Sequence, residues 1–316
     1  MATTMGEPAV SIKGLQGSPR RRRKEAVVRS ILIAAAGISM VVSVAIVIAL
    51  IGQTLTFLAK VDLSALWSSG WFPRDGEFDV LTILIGTLEV SIIAMVIATP
   101  LGLGAAMYLS EYAVPKTRRR LKPIIETLAG IPSVVLGYFA LQVINPTIVQ
   151  NLFSSSSTFT IMAAGIGVGI LTIPLVASVA EDAMYAVPGA LREAAYGIGA
   201  RRRTVTTKVV FPAAVSGIVA SLILGFSRAL GETMVVAIAA GASGGAPRHW
   251  SPLDPGQTMT GAISSLAIGS DQVKNSGAGE VNPFDALYFV GLLLFVMTLA
   301  MNLLSERFVR RVRRDY

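Results

Sequence analysis

The chain has 316 residues, 53% of them hydrophobic and only 15% charged, with a mean hydropathy of +0.65. A soluble domain carries about 25% charged residues, so this composition is that of an integral membrane protein. The net charge of +8 does not point to nucleic acid, because most basic residues stand in blocks beside apolar segments: Arg20 to Lys24, Lys116 to Lys122, Arg201 to Lys208 and Arg307 to Arg314. There is no cysteine for disulfide or thiolate chemistry, and the single histidine, His249, leaves no histidine-based metal site.

Six apolar stretches can each cross about 30 Å of hydrocarbon: 27–57, 80–109, 124–149, 159–180, 213–242 and 284–304. They predict an all-α membrane protein with a basic arm (1–26), a six-span domain (27–306) and a basic tail (307–316). The first stretch follows an arginine run but is far longer than a signal core, and no small-x-small cleavage site follows it, so it reads as an uncleaved anchor. With the amino terminus inside, 22 Lys and Arg lie on the cytoplasmic side and four outside (Lys60, Arg74, Arg248, Lys274), the remaining one being Arg228. The outer loops then hold eight acids. The positive-inside rule therefore predicts cytoplasmic termini.

Within the second stretch, Glu89 lies about nine residues from the outer end. Pro100, Pro132 and Pro174 lie within or near the ends of spans. Such breakers survive in membranes where neighbouring protein re-satisfies the freed backbone groups, which predicts a packed bundle. Gly165, Gly167 and Gly169 suit close helix packing; no strand precedes them and no lysine follows, as a nucleotide loop would need. Glu126, Glu181 and Asp182 fall at the cytoplasmic boundary, where pairing with the basic loops is expected.

The cytoplasmic loop 181–212 contains Pro188, suited to a first helical turn, and Gly199, a natural stop. Between them Ala190, Leu191, Ala194, Ala195 and Ile198 form an apolar stripe, with Arg192, Glu193 and Tyr196 off it. Such a short helix either lies on anionic lipid or docks into a groove on a cytoplasmic partner.

The fifth stretch is apolar except for Arg228 and Glu232. A mid-membrane arginine costs roughly 2.5–3.5 kcal/mol on the insertion scale. The i, i+4 spacing predicts that guanidinium and carboxylate share a helix face and neutralise each other. At 1.5 Å per residue Glu89 and Glu232 lie at similar depth, roughly 15 Å from the outer boundary, which predicts one cluster of Arg228, Glu232 and Glu89. The alternatives are a static ion pair and a neutral, lipid-facing Glu89. An arginine held by a competing carboxylate would bind an oxyanion and still release it. The outer loop 243–283 is acidic and rich in Gly, Ser and Pro, as a docking platform for an external partner would be.

Several segments carry a family resemblance. Glu193-Ala194-Ala195, then Gly199, then Val209-x-Phe211-Pro212 resembles the EAA loop of binding-protein-dependent ABC importer permeases, departing from it by Val for Ile and Phe for Leu. Ser227 to Thr233, Asp254 to Thr260 (DPGQTMT) and Gly130 to Gly137 resemble segments of the PstC type of phosphate-importer permease. The resemblance runs from about Asp79 to the carboxyl terminus and leaves the basic arm outside. It implies a type I (MetI-like) permease bundle in the bacterial cytoplasmic membrane, with Glu193, Ala194, Ala195 and Gly199 contacting the ATPase and Arg228, Glu232 and Glu89 along the substrate path. It further implies a PstA-like second permease, a PstB-like ATPase dimer carrying ATP and Mg, a PstS-like phosphate-binding protein, and no cofactor or catalytic site on this chain. A sulfate or molybdate permease is the nearer alternative; an ion-coupled secondary transporter would not need the EAA-spaced loop.

Overall fold

The computed structural model describes residues 19–67, 70–73, 76–241, 251–268 and 283–312. The expected arm 1–26 therefore falls largely outside the described residues, as do 313–316 of the expected tail 307–316 and 242–250 and 269–282 of the long outer loop. The chain divides into two units, Met1–Gly52 and Gln53–Tyr316. Helix α1 (Pro19–Lys60) supplies the described part of the first and leads into the second.

In the second unit a turn at Leu63–Trp67 and a small hairpin of β1 (Trp71–Phe72) and β2 (Glu77–Phe78) lead into α2 (Val80–Met107). Asp79 caps α2: its Oδ1 accepts from the Leu81 N–H at 3.1 Å and its Oδ2 from the Thr82 hydroxyl at 2.8 Å, satisfying a donor of the first turn. A wide turn, Tyr108–Tyr112, closes α2, and α3 (Pro115–Leu128) follows. The third crossing is built from α4 (Ser133–Phe139), a π-type stretch Ala140–Val149 and α5 (Gln150–Leu152). Pro146 lies within that stretch, where its missing N–H and ring make ordinary i−4 bonding impossible.

The sequence places the start of the third span at 124. The structure moves it to Ser133: Gly130 and Pro132 break the run, with the Gly130 N–H closing on Thr127 O at 2.9 Å and Pro132 standing at the N-cap of α4. Helix α3 is thus a separate amphipathic element.

Helix α6 (Ile161–Tyr185) is the centre of the bundle. After it come α7 (Gly189–Gly197), α8 (Arg202–Val205), a π turn Thr206–Val210 and α9 (Phe211–Ala213), then α10 (Val215–Leu230), α11 (Met234–Ala239), α12 (Met259–Ile268) and α13 (Pro283–Val312). Five helical segments are long and apolar enough to cross a membrane. The pair Arg202–Ala213 and Val215–Leu230, bent by 72°, meets the same length and composition test when its two parts are taken together.

Glycines let α2, α6 and α10 approach closely. Cβ atoms placed at Gly102 and Gly225 would each come within 2.8 Å of Val176, from opposite helices. The Gly165, Gly167 and Gly169 series packs as expected, against Ile93, against Val235 and Ala140, and against Ala94 and Ile97.

Candidate functional site

The blocks of Lys and Arg mark one end of the bundle, the basic end, where α2, α3 and α6 finish or begin. Glu181, fully buried in the last turns of α6, accepts from Arg118 Nε and Lys122 Nζ, both at 2.7 Å. Lys122 also pairs with Asp182. Arg118 lies over the Tyr185 ring, 3.7 Å from its centroid. Burial pulls the Lys122 ammonium down, but the bonds and charges of Asp182 and Glu181 outweigh that and hold it above its ordinary value. The expected pairing of Glu181 and Asp182 with basic residues is met, and Glu126 takes a hydrogen bond from Ser178 at 3.4 Å.

Helix α7 carries the EAA segment and ends as the sequence predicts. Gly199 has φ +80°, the Gly199 N–H bonds Tyr196 O at 2.9 Å, and the Ala200 N–H bonds Ala195 O at 3.0 Å. This is the Schellman pattern, and it requires the left-handed residue that glycine supplies. The apolar stripe splits, however. Leu191 and Ala195 pack inward with Ala106, Met184, Val187, Val205 and Val210, whereas Glu193, Ala194 and Ile198 face outward, Ile198 at 87% exposure.

Arg192, placed off the stripe by the sequence, turns inward. Its Nη2 donates to Glu111 Oε1 and to Met184 O, both at 2.8 Å, and its Nη1 to Val187 O at 2.6 Å. Glu111 is buried in the turn that closes α2. Neither residue was singled out by sequence reasoning. The available signal was an acid, Glu111, immediately before a basic block at the end of an apolar span.

The mid-membrane charges differ from expectation. Helix α10 stops at Leu230 with Gly231 as its cap, so Arg228 and Glu232 do not share a continuous helical face, and they form no ion pair. Arg228 lies exposed in the last turn of α10, where a cation meets the negative end of the helix dipole. Glu232 bonds through its backbone: its N–H reaches Ala229 O at 3.3 Å, and its carbonyl accepts from the Thr260 hydroxyl at 2.8 Å. Glu89 is half-buried, with Oε2 buried and without a hydrogen-bond partner. The three residues are thus not joined by ion pairs.

Part of the expected outer loop is an inner element. The carbonyls of Pro252 and Asp254 accept from the first-turn N–H groups of Met162 (2.7 Å) and Ile161 (3.2 Å), and Thr160 caps the same turn through Ala163 N at 3.1 Å. Gln257, Thr258, Met259, Thr260, Ala262 and Leu266 are buried. Residues 252–268 therefore seal the end of the bundle opposite the basic loops, because the apolar run Met259–Ile268 finds a partner in α2 and α13.

The described residues thus form a helical bundle with a pair of helices bent at Ala214 and a short helix, α7, held at its basic end. The fold is similar to that of a chain of the inward-facing MetNI methionine ABC transporter (TM-score 0.52, 20% identity, 74% of this chain and 94% of that one). It is also similar to a chain of the bacterial alginate ABC transporter complex (TM-score 0.63, 16% identity, 92% and 98%). Residues 98–314 match the family "Binding-protein-dependent transport system inner membrane component", and the chain belongs to that family. It is 35% identical to the probable ABC transporter permease protein YqgH of Bacillus subtilis, over 94% of each chain. It is 32% identical to the phosphate transport system permease protein PstC of Haemophilus influenzae (85% of this chain, 88% of that one) and of Mesorhizobium japonicum (88% of each).

Proposed function

We propose that the chain is the membrane permease subunit of an ATP-driven importer of inorganic phosphate, with the basic end cytoplasmic. The observation that carries this reading is α7: an EAA-spaced helix held firmly by its inner face, presenting Glu193, Ala194 and Ile198 outward. The phosphate assignment draws its support from the relatives named for phosphate transport and from the segments Ser227 to Thr233 and Asp254 to Thr260. In this reading a PstB-like ATPase dimer binds α7 and hydrolyses ATP with Mg. A PstA-like permease completes the pathway, and a PstS-like binding protein delivers phosphate at the opposite end. Arg228, Glu232 and Glu89 line the route, with Arg228 available to an anion, since among the described residues no carboxylate is paired with it.

Uptake of labelled phosphate by vesicles carrying the whole complex tests the proposal. Hydrogen bonds to charged groups contribute about 1.5–3 kcal/mol, so Arg228→Gln is expected to lower uptake about ten- to a hundredfold. Unchanged uptake removes Arg228 from the path, and preferential uptake of sulfate or molybdate overturns the substrate. Glu193→Ala is expected to reduce the ATPase recovered with the complex and ATP-dependent uptake together; full uptake in that variant rejects the docking role.

A further inference from the structure

We infer that Arg192 is the positioning residue that makes α7 move as one body with the basic ends of α2 and α6, delivering displacement of α7 to those two spans. The inference rests on the docking role proposed for α7 and adds the route by which its motion travels.

Three contacts of one guanidinium define the junction. The first is with the buried Glu111 carboxylate, which belongs to the turn closing α2. The second is with Met184 O, within the last turn of α6, and the third is with Val187 O, two residues past the end of that helix. The carbonyls at a helix end lack intrahelical partners, and a cation there also meets the negative end of the dipole. A planar fork can hold a carboxylate and carbonyls at once, which a lysine cannot do with the same rigidity. Among the described residues Arg192 is the only cation paired with Glu111. Leu191 and Ala195, on either side of it along the helix face, add apolar contact with Ala106, Met184 and Val187.

The other exit from α7 is unlike this one. Toward α10 the chain passes through the left-handed Gly199, the short α8, the π turn Thr206–Val210 and a 72° bend at Ala214. That path meets α7 by apolar packing through Val205 and Val210, whereas the ends of α2 and α6 are tied to it by a buried ionic contact as well. The charge at position 192 also explains why an arginine stands in an otherwise apolar inner face. An apolar residue would pack there, but it would leave the buried Glu111 carboxylate without its cation and Val187 O without this donor.

The test uses the complete complex in proteoliposomes, reading phosphate transported per ATP hydrolysed. Removing both charges together, E111Q with R192M, leaves no uncompensated buried charge. It is expected to retain ATPase subunits and ATP hydrolysis within about twofold of wild type while transport per ATP falls about tenfold, the loss expected for one charge-assisted contact. R192K keeps the charge without the fork and is expected to fall between the two. If the double variant does not assemble, E111Q alone is read by the same ratio, since it leaves the two carbonyl contacts in place. An unchanged ratio in the variants that assemble, or transport and hydrolysis declining in parallel, overturns the proposal and leaves Arg192 a purely structural contact. Full ATPase recovery and full ATP-dependent uptake in Glu193→Ala would instead defeat the reading of α7 on which the proposal rests.

Discussion

Replacing Arg118 and Lys122 together with methionine is expected to destabilise the chain by about 3–5 kcal/mol, the cost of a buried charge deprived of its partners. Glu181 has no solvent exposure, and these two cations are its ion-pair partners among the described residues. Removing the acid instead is expected to cost only about 1 kcal/mol, a typical single-site loss. Arg118 and Lys122 each keep 24% side-chain exposure and can turn to water. Replacing all three with apolar residues of similar volume is expected to be close to neutral, since desolvating the ions offsets much of their attraction. Denaturant midpoints of the purified protein in detergent give the comparison, and a double variant milder than Glu181→Leu would contradict the assignment. The pH dependence has a definite sign. The folded-state value of Lys122 lies above the ordinary 10.5, so its contribution is full below that value and is lost as pH rises through the raised one.

The sequence revealed spans and boundaries where a local rule decides them. Gly199 ends α7, its own N–H bonding Tyr196 O and that of Ala200 bonding Ala195 O, a few residues away, and Pro188 stands at the N-cap of that helix, one residue before its first turn. The small residues of the α6 glycine series allow the close packing they predict. Long-range outcomes were less legible. The i, i+4 pairing of Arg228 and Glu232 presumes an unbroken helix, yet Gly231 ends α10, and the freed Glu232 carbonyl is taken by Thr260, distant in sequence. Arg192 looked solvent-facing because its partners, Glu111 and the end of α6, reach it only through the packing of α2 on α6. The same holds for residues 252–268, whose Pro, Gly and Asp read as loop while their carbonyls cap α6. Hydropathy also merged α3 with the following span, because Gly130 and Pro132 interrupt a run that is apolar on both sides.

Gly86→Val is expected to have the largest effect of any single substitution in α2. A Cβ at this position would lie 2.4 Å from Gln257 O and 3.2 Å from Gln257 C, both backbone atoms that cannot rotate away. One residue on, the Thr87 hydroxyl accepts from the buried Met259 N–H at 2.9 Å. The glycine thus lets α2 seat the Gln257–Met259 segment, and the threonine fixes it there. Forcing the two apart costs about 1–3 kcal/mol for overpacking, and a similar amount again if Met259 loses its acceptor while remaining buried. The carbonyls that cap α6 lie only a few residues earlier on the same segment, so the disturbance is expected to reach the first turn of α6 as well. Gly104→Ala in the same helix supplies the control: nothing lies within 4 Å of a Cβ there, and alanine is the better helix former by about 0.5–1 kcal/mol. Unfolding midpoints of the two variants in detergent should therefore move in opposite directions. Hydrogen exchange at Ile161, Met162 and Met259 should rise only in Gly86→Val. Equal exchange in both variants would show that the segment is held by contacts other than the close approach at Gly86.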